Sequence, residues 1–264
     1  MKRQKKLVVG NWKTNPQTLK EAKDLTSLVR RGVKGLGNTQ VVLCPPFLYT
    51  ASLLGKKSNV SLGAQDAFYE SHGPYTGEVS STQLSALGVD FCIVGHSERR
   101  LYFNEDLDIV RDKVAAAVRN GIMPILCVGE TDHERKDGET RQVLHDQLTT
   151  ALANLTASDV EDIVIAYEPV WAISTFGGVL AKPDDVAKDM AFIRKQIADL
   201  YGKRAASRVR ILYGGSVDDQ IVRGYLEIED CDGVLVGGAS LNYHKFSGIV
   251  GAAYRLRHET GEDE

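Results

Sequence analysis

Residues 91–128 read FCIVGHSERRLYFNEDLDIVRDKVAAAVRNGIMPILCV, and this stretch decides the fold. It opens on the apolar run Phe91–Val94 and closes on a second, Met123–Val128. Neither run alternates with polar residues, which is the pattern of parallel strands buried on both faces. Between them Leu107, Val110, Val114 and Val118 recur at the spacing of one helical face. A strand, a helix and a second parallel strand make one βαβ unit.

The same unit repeats outward in both directions. Further apolar runs lie at Leu7–Val9, Gln40–Cys44, Val60–Gly63, Asp162–Ala166, Val209–Leu212 and Val234–Val236. Leu144, Leu148, Ala151 and Leu155 define a second helical face, and Val186, Met190, Ile193, Ile197 and Leu200 a third. Pro183 falls in the first turn of that last helix, where its missing N–H costs nothing. Strand–helix alternation repeated eight times, without a Pro/Ser-rich linker, predicts one parallel α/β domain over residues 1–264. An open doubly wound sheet is the alternative. The count of eight, and the absence of GxGxxG after the first strand, favour a closed single-domain (β/α)8 barrel.

Composition narrows the function classes. The 264 residues are 43% apolar, ordinary for a globular chain able to bury a sizeable core. Thirty-two basic against 35 acidic residues leave a net charge of −3, with no electrostatic pull toward nucleic acid or an anionic membrane. The basic start Lys2-Arg3-Gln4-Lys5-Lys6 is followed by an apolar run that ends at once at Gly10-Asn11, so no signal peptide is expected. No apolar stretch approaches the roughly 20 residues of a spanning helix. Cys44, Cys92, Cys127 and Cys231 are far apart and form no CxxC, which points to buried reduced thiols and a cytoplasmic setting.

In barrels of this kind the chemistry gathers at the C-terminal ends of the strands. Those ends carry Asn11 and Lys13, Gln65, His96 and Glu98, Glu130, Glu168, Ser216, and Gly237 with Gly238. The set contains no His, Cys or carboxylate cluster at metal spacing, so metal catalysis is not expected. A Lys at a strand end can also serve as a Schiff-base nucleophile, so a lyase, another phosphosugar isomerase or an epimerase stays open on the residues alone. So does a barrel kept as a scaffold.

Five segments then become specific. Gly10-Asn11-Trp12-Lys13, Gly95-His96-Ser97-Glu98-Arg99-Arg100, Ala166-Tyr167-Glu168-Pro169-Val170-Trp171-Ala172-Ile173, Tyr213-Gly214-Gly215-Ser216 and Val236-Gly237-Gly238-Ala239-Ser240 stand in order, each at a strand end. In this the chain resembles the triosephosphate isomerase family over nearly its whole length. The resemblance implies a TIM barrel that interconverts dihydroxyacetone phosphate and D-glyceraldehyde 3-phosphate without a cofactor. It implies Glu168 as the base, His96 as a neutral electrophile, and Lys13 and Asn11 as stabilisers of the developing enediolate. Glu98 is implied as a supporting residue; Ser174, Ser216, Gly237 and Gly238 as phosphate contacts. His72, His133, His145, His244 and His258 lie in loops or helices and are assigned no catalysis. The long polar segment Gln65–Ser80 is implied to reach into a second subunit, with Thr76 and Glu78 at the contact of a homodimer.

One segment departs from the family. After Trp171 the family lid reads A-I-G-T-G, whereas this chain has Ala172-Ile173-Ser174-Thr175-Phe176-Gly177-Gly178 before Pro183, about two residues longer. Counted forward from Glu168, Ser174 takes the phosphate-covering position; counted back from Pro183, Gly177 or Gly178 does. The two adjacent glycines would restore the backbone freedom that Ser174 and Phe176 remove.

Overall fold

A computed structural model describes residues 4–55 and 59–259 of the chain. Lys2, Arg3 and the side chain of His258, read above, lie outside the described residues. The strands are β1 (Lys6–Asn11), β2 (Thr39–Cys44), β3 (Val60–Ala64), β4 (Phe91–Val94), β5 (Met123–Val128), β6 (Val164–Tyr167), β7 (Arg210–Tyr213) and β8 (Gly233–Val236). All pair in parallel in chain order, and β1 closes on β8 with Leu7 opposite Gly233 and Gly10 opposite Val236. The closed eight-stranded barrel expected from the repeat is therefore the fold.

Closure explains why the strands are apolar throughout. On β1, Leu7 and Val9 pack with Val42, Ile93, Ile125, Val164 and Leu212 inside the barrel. Val8 between them packs outward in the larger cluster, with Val41, Leu126, Ile165 and Ile211. Both faces of every strand are buried, so no alternation survives in the sequence. The helices that cover the outside are α1 (Leu19–Gly32), α2 (Phe47–Leu53), α3 (Ser81–Leu87), α4 (Ser97–Tyr102), α5 (Leu107–Arg119), α6 (Asp132–Lys136), α7 (Thr140–Leu152), α8 (Ala157–Val160), α9 (Pro183–Arg208), α10 (Val222–Leu226) and α11 (Tyr243–Glu259). Val110 and Val114 of α5, Leu144 and Leu148 of α7, and Val186, Met190 and Ile193 of α9 are buried as their periodicity requires.

Two expectations shift. The sixth strand starts at Val164 rather than Asp162, because the Asp162 and Ile163 amides donate back to Asp159 and Val160 in the preceding turn, at 3.2 and 3.1 Å. Leu200 is 42% exposed although it continues the face of α9. Two residues later Gly202 leaves helical geometry, at φ 87° and ψ 164°, and kinks the helix, whose far side is buried again at Ala205 and Ala206. Cys44, Cys92, Cys127 and Cys231 are all buried free thiols. Burial raises each thiol, Cys231 to about 11, so they are inert at neutral pH. Among the described residues, no helix is long and apolar enough to cross a membrane.

Candidate active site

At the C-terminal mouth of the barrel a cavity of about 560 Å³ is lined by Asn11, Lys13, His96, Glu168, Ser174, Ser216, Gly237 and Gly238, with Ile173, Leu180 and Leu235 among its apolar walls. Strand ends spread over the whole sequence thus meet at one opening.

Glu168 follows β6 directly and is only 2% exposed. Pro169 behind it confines the preceding backbone to an extended conformation. Its Oε2 accepts the Ser97 N–H at 3.2 Å, and its Oε1 lies 3.2 Å from His96 Nε2. The carboxylate needs room that only glycine leaves. A Cβ on Gly214 would stand 2.7 Å from Glu168 Cγ, and one on Gly129 would stand 1.8 Å from the Glu168 carbonyl oxygen. Gly214 directly follows β7, and close approach to the carboxylate is the reason for a glycine there.

His96 caps the N-terminus of α4, as the turn Ser97-Glu98-Arg99-Arg100 leads one to expect. Its Nδ1 accepts the Glu98 N–H at 3.2 Å. A ring carrying one proton must therefore carry it on Nε2, facing Glu168 and the cavity. Arg100, in the same motif, is structural: its guanidinium donates to the Gly95 and Cys127 carbonyls at 2.8 and 3.1 Å.

Lys13 reaches the cavity by a route the strand period does not give. β1 ends at Asn11, and Lys13 lies two residues beyond it in left-handed backbone, φ 52°. Asn11 Oδ1 accepts the Lys13 N–H at 3.0 Å, and the Gln65 amide donates to the Lys13 carbonyl at 2.7 Å. With its oxygen so engaged, the Asn11 amide nitrogen remains as a donor. Lys13 Nζ stands 2.5 Å from Glu98 Oε1, a pairing across 85 residues. Burial raises the Glu98 carboxyl, but the Lys13 hydrogen bond, the nearby His96 and the Thr175 hydroxyl outweigh it, and its pKa lies below the ordinary value.

Ser216, Gly237 and Gly238 line the same cavity from the turns after β7 and β8. Ser216 Oγ is buried without a hydrogen-bond partner. Gly237 lies beside Lys13: a Cβ there would meet Lys13 Cε at 3.6 Å, an ordinary contact. Among the described residues, no three His, Cys, Asp or Glu side chains are grouped so as to hold a metal ion.

The lid begins at Trp171, whose indole N–H donates to Glu130 at 2.8 Å. Glu130 is fully buried and also takes Arg135 at 2.9 Å and the Tyr167 hydroxyl at 3.1 Å. It is a strand-end carboxylate that anchors the lid. The sequence gives little sign of this, beyond the need of a half-buried indole N–H for an acceptor. Of the two readings of the lid, Ser174 lines the cavity, while the Gly178 N–H donates to the Ile173 carbonyl at 3.1 Å within the loop itself. Gly177 and Gly178 have φ of 135° and 64°, which non-glycine residues rarely adopt. Their freedom shapes the turn.

The segment Gln65–Ser80 is a loop between β3 and α3. Its base is fixed by Asp66, which meets Lys113 at 2.7 Å and Arg99 at 3.0 Å. Its tip, with Thr76 and Glu78, is exposed, and Tyr75 is 41% exposed. The structure thus gathers the catalytic and phosphate candidates at one mouth, and leaves Thr76 and Glu78 projecting from the loop.

Polar groups held at the C-terminal mouth of a closed parallel barrel place the chain in the class of (β/α)8 enzymes. The sequence profile of the family described as triosephosphate isomerase matches residues 6–253. The triosephosphate isomerase of Moorella thermoacetica is 46% identical over 246 residues, covering 92% of this chain and 97% of that one. Those of Endomicrobium trichonymphae and Dictyoglomus thermophilum are 44% and 41% identical, each covering 93% of this chain and 98% of the relative. The chain belongs to the triosephosphate isomerase family and is an isomerase.

Proposed function

We propose that the chain interconverts dihydroxyacetone phosphate and D-glyceraldehyde 3-phosphate by proton transfer through an enediolate, with Glu168 as base and His96 as electrophile. The observation that carries this reading is the approach of His96 Nε2 to the Glu168 carboxylate at 3.2 Å. A carboxylate so placed can take the proton from the carbon beside the carbonyl and return it to the neighbouring carbon. A positioned base of this kind contributes roughly 10²–10⁴ in rate. The His96 Nε2–H supplies the hydrogen bond that the substrate oxygens need as negative charge moves onto them. Lys13 and the Asn11 amide add charge and a donor that are in place before the reaction begins.

The phosphate end fits the part of the cavity lined by Ser216, Gly237 and Gly238. The unpartnered Ser216 hydroxyl and the Gly237 and Gly238 backbone offer donors without a Cβ in the way, and Ser174 covers them from the lid. The Ser97 N–H, donated to Glu168 Oε2 at 3.2 Å, holds the carboxylate at the cavity wall and leaves Oε1 toward His96. Closure of the lid excludes the water that would compete for that carboxylate. A homodimer built through the Thr76–Glu78 tip belongs to the same reading, supported by a loop held rigid at its base and exposed at its tip.

A coupled assay with both triose phosphates, run in heavy water, tests it. Some product carrying solvent deuterium on the newly protonated carbon is expected, because a carboxylic acid exchanges its proton in the turnovers where water reaches it before return. Turnover with no deuterium in product or in recovered substrate would point to hydride transfer and overturn the mechanism. No turnover would overturn the function.

A further inference from the structure

We propose that Thr175, through its hydroxyl, is a positioning residue for Lys13 that ties the ammonium and its Glu98 partner to the lid. The inference rests on the function proposed above and extends it to a residue outside the cavity wall. Thr175 Oγ1 accepts from Lys13 Nζ at 3.3 Å and donates to Glu98 Oε1 at 3.1 Å. One hydroxyl with one proton and two lone pairs can do both at once. The three groups close a triangle with the 2.5 Å Lys13–Glu98 bridge.

The placement separates Thr175 from the substrate contacts. Lys13 lines the cavity, whereas Glu98 and Thr175 stand off that wall. A ligand entering the cavity meets the free side of the ammonium, so the Thr175 contact need not break on binding. It orients the lysine and does not compete for it.

A second, independent contact fixes the lid at the same place. The ring of Phe176, the next residue, packs on Tyr102 with centroids 6.1 Å apart. Glu98 and Tyr102 lie one turn apart on α4, so Thr175 and Phe176 dock side by side on one helical face. That helix carries His96 at its cap and the Ser97 N–H that holds Glu168. The turn Ser174–Phe176 is closed by the Phe176 N–H on the Ile173 carbonyl at 2.9 Å, which sets the direction of the Thr175 side chain. The lid residue Ser174 and the lysine thus share one scaffold, and lid position and ammonium position are coupled through Thr175.

The test uses Thr175→Val, which keeps the branched shape and removes the hydroxyl, and Thr175→Ser, which keeps the hydroxyl. For one exposed hydrogen bond to a charged group, Thr175→Val is expected to lower kcat/KM by about tenfold, chiefly in kcat, with Thr175→Ser near wild type. Affinity for 2-phosphoglycolate, measured by calorimetry, supplies a readout that a general loosening of the lid does not reproduce. Thr175→Val should weaken it in the wild-type background and leave it unchanged beside Lys13→Ala, since a residue that acts through Lys13 has nothing left to act on. A Thr175→Val enzyme within twofold of wild-type kcat/KM overturns the proposal. So does a Thr175→Ser enzyme as impaired as the valine variant, or an equal loss of affinity in the Lys13→Ala background. An inactive wild-type chain would instead fail the proposed function, so the two failures are distinct.

Discussion

Replacing Glu168 by glutamine probes the site most directly, because two donors converge on that carboxylate. Ser97 N–H and His96 Nε2–H both point at it from 3.2 Å. A carboxylate accepts both; an amide offers one oxygen and one NH2, so one contact becomes donor against donor. His96 cannot relieve this by moving its proton, since its Nδ1 already accepts the Glu98 N–H. Loss of the base removes roughly 10²–10⁴ in rate. An unsatisfied donor pair costs about 1–3 kcal/mol more, and each 1.4 kcal/mol expressed in the transition state is about tenfold. The expected fall in kcat for Glu168→Gln is therefore on the order of 10³–10⁶. Glu168→Asp keeps both acceptors but withdraws the carboxylate by about one bond length, for which a loss near 10² is expected. Turnover is followed by the coupled assay and folding by circular dichroism. The local cost is smaller than the total stability of a folded chain, so the glutamine variant should remain native. A native Glu168→Gln enzyme with kcat within tenfold of wild type would refute the reasoning.

The remaining expectations concern the supports of the site. Glu98 has a depressed pKa in the folded chain, so the stability it contributes is present above the ordinary carboxyl value of 4.5 and is lost as pH falls through its lower folded value. Glu98→Gln should therefore lower the melting temperature at neutral pH, and the gap from wild type should close in acid; a gap independent of pH contradicts this. Gly214→Ala places a Cβ 2.7 Å from Glu168 Cγ, and the displaced carboxylate should cost about 10² in kcat with a smaller change in KM; unchanged kcat rules out the close-approach account. Light scattering at micromolar concentration should give about twice the 28.9 kDa chain mass, and a fully active monomer would remove the homodimer reading.

Much of the architecture was legible before any coordinates, and the reason is local. A strand buried on both faces is apolar at most positions, so β1 to β8 each leave a short apolar-rich run, and the count of eight follows. A helix over a barrel leaves its own period, as Val110, Val114 and Val118 do on α5. The polar residues that interrupt those runs at the strand ends are conspicuous because nothing else there is polar. His96 could even be read as the start of a helical turn, since capping depends on the next few residues only.

What the sequence could not supply is set by contacts between distant parts of the chain. The Lys13–Glu98 bridge spans 85 residues and the Ser97–Glu168 hydrogen bond 71, and neither spacing carries a local signal. Lys13 lies past the end of β1 and reaches the cavity through left-handed backbone held by Asn11 and Gln65, which no strand period announces. The lid was ambiguous by two residues because a loop has no period to count by. Only its docking, Trp171 on Glu130 and Phe176 on Tyr102, places Ser174 on the cavity. The amino-acid pattern by itself determined the eight strands, the helices and the ring of candidate residues. Closure of the barrel decided which of those residues touch, because hydrogen bonds and ion pairs form at ångström distances that no sequence separation encodes.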